Sequence, residues 1–146
     1  MIFAFVRELA EYERLADQVK ATSADIERAL FASNPRVFCD IAEWDGVPAG
    51  FALWFYNFST FRGRHGIFLE DLFVRPAFRG KGLGKALLVH LAARAVKEGC
   101  SRVDWSVLDW NAPSIAFYKS LGAQAQDEWT GFRLTGEALD RLAQSK

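Results

Sequence analysis

Between residues 75 and 85 the chain reads Arg75-Pro76-Ala77-Phe78-Arg79-Gly80-Lys81-Gly82-Leu83-Gly84-Lys85, with glycines at alternate positions among cationic side chains. Glycine lacks a Cβ, so consecutive backbone amides can turn towards one point, and a helix starting here adds the partial positive charge of its N-terminus. Such a turn suits a pyrophosphate, with Arg75, Arg79, Lys81 and Lys85 available to outer phosphate oxygens. It is not a Walker A loop, because Ala86 follows Lys85 and no hydroxyl is offered to magnesium. Nor is it a Rossmann fingerprint, since Gly80, Gly82 and Gly84 give GxGxG and not GxGxxG. The plainer reading, a helix start that uses glycine only for a tight turn, leaves the interleaved cations unexplained.

Other reactive side chains are sparse. Cys39 and Cys100 are far apart, form no CxxC and have no nearby histidine in sequence, which predicts buried thiols and neither a disulfide nor a zinc site. His65 falls in a predicted turn and His90 on a predicted helix, without ligand spacing, so both read as surface residues and no metal is expected. Glu70 and Asp71 are neighbours on a predicted strand, so they point to opposite faces and cannot act as a close carboxylate pair.

The elements that must hold these residues are legible from periodicity. Ile2, Phe5, Val6, Leu9 and Tyr12 repeat at helical spacing, and Thr22 with Asp25 forms a capping-box start for a second helix. VFCDIAEW, an Asp45-Gly46 turn and FALWFYNF predict a hairpin; Gly63–Gly66 predicts the next turn and residues 67–74 a third strand. Leu83, Leu87, Leu88, Leu91 and Ala95 form the apolar stripe of a helix ended by Gly99. Residues 102–108 predict a strand, 112–121 a helix with Pro113 at its first turn, 123–134 further strand structure, and 135–143 a short helix. The alternation gives an α/β class with a mixed sheet flanked by helices.

With 146 residues, 51% hydrophobic and 25% charged, the composition is that of one globular domain, predicted to span 1–146. Eighteen basic and eighteen acidic side chains cancel, which removes the electrostatic case for nucleic acid or an anionic membrane as partner. No signal peptide or spanning segment is evident, so a soluble cytoplasmic protein is expected.

Three blocks then carry a resemblance. Arg79-x-x-Gly82-x-Gly84 matches the [Q/R]xxGx[G/A] signature of the GCN5-related N-acetyltransferases. Phe68-Leu69-Glu70-Asp71-Leu72-Phe73-Val74 is similar to the LEDxFV strand of their spermidine/spermine (diamine) branch, and Trp110 to Lys119 resembles its WNxPSIxFYK segment. The early Glu8-Leu9-Ala10-Glu11-Tyr12-Glu13 is similar as well. The resemblance implies acetyl-CoA as donor, a small-molecule amine as acceptor, and a homodimer. It implies coenzyme contacts from Leu72, Phe73 and Val74, from the loop residues Arg79, Gly80, Lys81, Gly82, Leu83, Gly84 and Lys85, and from Asn111 and Ser114. Glu70 is implied as base for an ammonium of pKa ~10.4, and Tyr118 as the acid that protonates the leaving thiolate. Tyr12, Glu13, Glu70, Asp71 and Phe132 are implied on the amine side. A non-catalytic coenzyme-A sensor would need neither Glu70 nor Tyr118, so their presence favours the enzyme.

Two departures qualify the likeness. The family's first strand has no counterpart ahead of the first helix, and Thr130-Gly131-Phe132-Arg133-Leu134 replaces an EGWRL-like stretch, keeping an aromatic but losing the acid. Losing that carboxylate disfavours a long polyamine against a short diamine or a thialysine-like amino acid, for whose carboxylate Arg7 or Arg133 is available.

Overall fold

The computed structural model describes residues 1–145. Its elements are α1 (Ile2–Tyr12), a 3-10 turn (Ala16–Gln18), α2 (Ser23–Leu30), β1 (Phe38–Trp44), β2 (Val47–Ser59), β3 (Arg64–Val74), a 3-10 turn (Pro76–Phe78), α3 (Leu83–Lys97), β4 (Val103–Trp105), α4 (Ala112–Ser120) and α5 (Gly136–Ala143). The chain falls into two compact units, Met1–Leu108 and the residues from Asp109 onward.

In the first unit one sheet has the order β1-β2-β3-β4, antiparallel except for the β3–β4 pair. The expected mixed sheet flanked by helices is therefore the observed fold. The β1–β2 turn is as read: Asp45 and Gly46 both have positive φ, the combination that a two-residue turn matching strand twist requires. At Gly50 the strands are so close that a Cβ would lie 2.6 Å from the carbonyl oxygen of Phe73. Thr22 and Asp25 close the capping box of α2 as expected.

The apolar face of α1 packs on one side of the sheet. Phe5 and Leu9 are buried with Phe51, Leu53 and Phe73, and the Phe5 and Phe51 rings stack at 5.2 Å. On the other side α3 buries Leu87, Leu88, Leu91 and Ala95, and its Arg94 lies over the Trp54 ring. Arg75 fastens α1 to the end of β3: Nε and Nη2 each donate to a Glu8 carboxylate oxygen at 2.9 Å, and Nη1 donates to the Pro48 carbonyl. No helix among the described residues is long and apolar enough to cross a membrane.

Three expectations need correction. The turn after β2 lies at residues 60–63, and Arg64, His65 and Gly66 already belong to β3. The strand at 102–108 shrinks to Val103–Trp105. Residues 123–134 form no strand; Trp129 and Phe132 there are 78% and 95% exposed, and without a partner edge their β-propensity has no ladder to join.

Candidate active site

The chemistry begins with an irregularity in β3. Leu53 pairs with Asp71 and the next residue, Trp54, with Leu69, so Glu70 is an extra residue, a β-bulge. Before the bulge Phe68 opposes Phe55 and the two rings stack at 5.2 Å; after it Asp71 and Phe73 oppose Leu53 and Phe51. Phe51, Leu53 and Phe55 alternate along β2 and share its α1-facing side. Residues 68 and 70 before the bulge, and 71 and 73 after it, therefore belong to that same side. The extra residue changes the parity of the strand, so Glu70 and Asp71 share a face. The expectation that they lie on opposite faces is wrong, because it assumed an unbroken pleat.

The electrostatics follow from that juxtaposition. Glu70 is exposed and Asp71 half-buried. The Asp71 carboxyl is pushed up to about 6, first by burial, then by the negative charges of Glu70 and Glu13. Glu13, the C-cap of α1, is itself raised by burial. Nearby Cys39 is pushed up to about 12 by burial and by the charges of Asp40 and Asp71, which leaves it a protonated, weakly nucleophilic thiol at neutral pH.

The bulge also ends a ladder. β4 pairs with β3 only over Ile67–Leu69, so along Glu70–Val74 the edge of β3 away from β2 has no strand partner among the described residues. The N–H and C=O groups on that edge can meet an extended amide-bearing ligand in the manner of an added strand. This is where Leu72, Phe73 and Val74 were expected to make backbone contacts. Just beyond, Gly80 and Gly82 adopt φ of +77° and +82°, and α3 follows its N-cap Gly82 with no side-chain cap, leaving its first amides to an anion. α2 and α4 are capped by Thr22 and Asn111, whereas α1 and α5, like α3, have no side-chain cap. An open strand edge leading to an uncapped glycine turn fits a ligand with amides along an arm and a pyrophosphate at its end.

The loop cations are less free than the sequence suggested. Arg75 is committed to Glu8 and is removed from the phosphate set. Arg79 donates from Nε to the Val74 carbonyl at 2.8 Å, and Lys81 sits over the Trp44 ring.

A family model for the acetyltransferase (GNAT) family matches residues 3–123. The chain belongs to the GNAT acetyltransferase family. Among curated relatives, the thialysine N-epsilon-acetyltransferase of Bos taurus is 39% identical over 153 residues, covering 97% of this chain and 89% of that protein. An L-ornithine N5-acetyltransferase of Arabidopsis thaliana is 48% identical over 98 residues, covering 67% of this chain and 43% of its own length. Among solved structures, an integron cassette protein from V. cholerae aligns with a TM-score of 0.81 at 32% identity, covering 99% of this chain and 90% of that one. This GNAT chain is an enzyme of acetyl transfer.

The remaining GNAT-like positions lie in the second unit. Asn111 is buried and caps α4, its side-chain oxygen accepting from the Ser114 amide at 3.4 Å, so both residues have a structural task. Tyr118 lies on α4 with its ring 5.6 Å from that of Phe117. Phe132 lies in the irregular segment after α4. Within the first unit the structure brings Glu13, Glu70 and Asp71 into one acidic group and puts Tyr12 at the adjoining end of α1. The Glu8–Arg75 pair was missed. Two adjacent acids inside an apolar strand, which break the alternation of Ile67 and Leu69, were the available sign of the bulge.

Proposed function

We propose that this GNAT enzyme transfers the acetyl group of acetyl-CoA to the primary amine of a small aliphatic diamine or lysine-like amino acid, by direct attack. The observation that carries this reading is the bulge, which puts Glu70 and Asp71 on one face at the start of the open edge of β3. Acetyl-CoA supplies an activated thioester carbonyl. Leu72 to Val74 hold the amides of its arm through that edge, and the turn from Gly80 to Lys85 holds its pyrophosphate through backbone N–H groups, with Lys81 and Lys85 adding charge. Asn111 and Ser114 stand beside the arm on the strength of the resemblance alone.

The acceptor arrives as an ammonium and must lose a proton before it can attack. Glu70, exposed, takes that proton directly or through water. Asp71, ionised only above about pH 6, supplies the adjoining negative charge that holds the cation. Glu13 completes an acidic wall and Tyr12 offers aromatic surface; Phe132 is assigned to the acceptor by the resemblance alone. The amine then forms the C–N bond as the C–S bond breaks; by the resemblance, Tyr118 gives its phenolic proton to the departing sulfur and is reprotonated by the proton that the acylated nitrogen releases. Direct transfer is supported by Cys39, whose thiol is held far from the thiolate that an acyl-enzyme would need. The family match at residues 3–123 runs across the boundary between the two units, which supports one catalytic domain. We place the enzyme in the cytoplasm as a homodimer.

The curated relatives act, by name, on thialysine and on ornithine. Both are amino acids with a terminal amine, and the lost acid before Phe132 favours such an acceptor over a long polyamine. Comparing kcat/KM for thialysine, ornithine, lysine, putrescine and spermidine tests the substrate class. A terminal-amine amino acid or short diamine should lead; an aminoglycoside or protein N-terminus exceeding all five would refute the choice.

A further inference from the structure

The two cations at the front of the glycine loop are held differently. Lys81 has one aromatic contact, 5.0 Å from the centre of the Trp44 ring. Arg79 is engaged three times: Nε donates to the Val74 carbonyl at 2.8 Å, and the guanidinium carbon lies 4.9 Å from the Tyr12 ring centre and 5.5 Å from that of Phe73. A planar guanidinium can lie against rings and still donate in its own plane, which a compact ammonium cannot do from the same position. The groups it joins come from different elements. Tyr12 is the last residue of α1 and is followed by Glu13; Phe73 and Val74 end β3.

We propose that Arg79 is a positioning residue for the amine side of the site: it clamps the C-terminal end of α1, with Tyr12 and Glu13, to the end of β3, and its guanidinium is not a phosphate ligand. Residue 79 then sits in the coenzyme loop but sets the acceptor side. Its loss lets Glu13 drift from Asp71 while the backbone turn at Gly80 and Gly82 stays intact. The effect on the acceptor rests on the acetyltransferase reading above; the statement about phosphate does not.

The test uses Arg79→Gln and Arg79→Lys, with coenzyme A affinity by titration calorimetry and steady-state kinetics with thialysine. Both variants should keep coenzyme A Kd within about threefold and raise the amine KM about tenfold with little change in kcat, since uniform acceptor binding is what is lost. Lysine should fail to rescue, because charge alone does not make the clamp. Tyr12→Leu, which changes no loop residue, should raise the same KM, and adding Arg79→Gln to it should cost little more. A tenfold loss of coenzyme A affinity in Arg79→Gln that Arg79→Lys restores would make Arg79 a phosphate ligand and overturn the proposal. Unchanged KM in both Arg79 variants, or additive effects with Tyr12→Leu, would overturn it as well. If Arg79→Gln does not fold, Arg79→Lys and Tyr12→Leu decide. If no amine is acetylated, the functional reading fails, while the calorimetric comparison still judges Arg79.

Discussion

Replacing Asp71 with asparagine should abolish efficient amine turnover and at the same time make the protein more stable at neutral pH. In the folded protein the Asp71 carboxyl titrates near about 6, whereas in an unfolded chain it titrates near ~3.9. The native state therefore binds its proton more tightly. Between roughly pH 4 and pH 6 the folded protein holds more protons than the unfolded one, so this group's contribution to stability falls as pH rises. Below about pH 4 both states are protonated and the burden is absent; above about pH 6 it is complete. A displacement of about two pH units is worth about 3 kcal/mol, an upper figure because the carboxyl is only half-buried, so about 1–3 kcal/mol is expected. Asparagine keeps the shape and removes the charge that burial, Glu70 and Glu13 oppose. Urea unfolding followed by tryptophan fluorescence at pH 4, 5, 6 and 7.5 reads this directly. The variant should match the wild type at pH 4 and exceed it increasingly up to about pH 6, the difference then holding to pH 7.5. A variant less stable at pH 7.5, or a difference independent of pH, would refute the assignment of a strained, charged Asp71.

Three further outcomes are expected. Tyr118→Phe should lower kcat about 100-fold while leaving coenzyme A Kd nearly unchanged if, as proposed, the phenol acts on the leaving sulfur; an unchanged kcat removes it from the mechanism. Gly82→Val forces a β-branched residue to φ +82°, where no side chain is at ease, and should weaken coenzyme A binding by calorimetry first; equal affinity would mean that this turn is not the phosphate cradle. Arg75→Ala breaks a half-exposed bidentate pair with Glu8 and should cost about 1–2 kcal/mol in urea unfolding without changing coenzyme A affinity; a loss of affinity at unchanged stability would return Arg75 to the phosphate set.

What the sequence disclosed and what it hid divide along physical lines. Periodic apolar residues such as Phe5, Leu9, Leu87 and Leu91 announced α1 and α3, and Asp45-Gly46 and Thr22 announced a turn and a cap, because those signals are local. The turn beyond Ser59 was misplaced because Gly63 and Gly66 both look like turn residues. Only the cross-strand register shows that Gly66 lies in β3, where a Cβ would come within 2.5 Å of the Asn57 side chain. The segment 123–134 has strand-like composition but no partner, and partners are not written in a segment's own residues. The same is true of the bulge. Glu70 and Asp71 were recognised as acids in the right strand, yet their sharing a face depends on how Leu53 and Trp54 pair across the sheet. The availability of Arg75 likewise depended on Glu8, sixty-seven positions away.

The central claim, direct acetyl transfer from acetyl-CoA to a small primary amine, is tested most directly by mixing the protein with acetyl-CoA and following free thiol together with the intact mass of the chain, before and after thialysine is added. Before the amine, no acetyl adduct on the chain and almost no thiol are expected; after it, thiol should rise in step with acetylated thialysine. A stoichiometric acetyl adduct formed without amine, and consumed when amine arrives, would contradict direct transfer. Coenzyme binding with no thiol released by thialysine, ornithine, lysine, putrescine or spermidine would contradict the acceptor class.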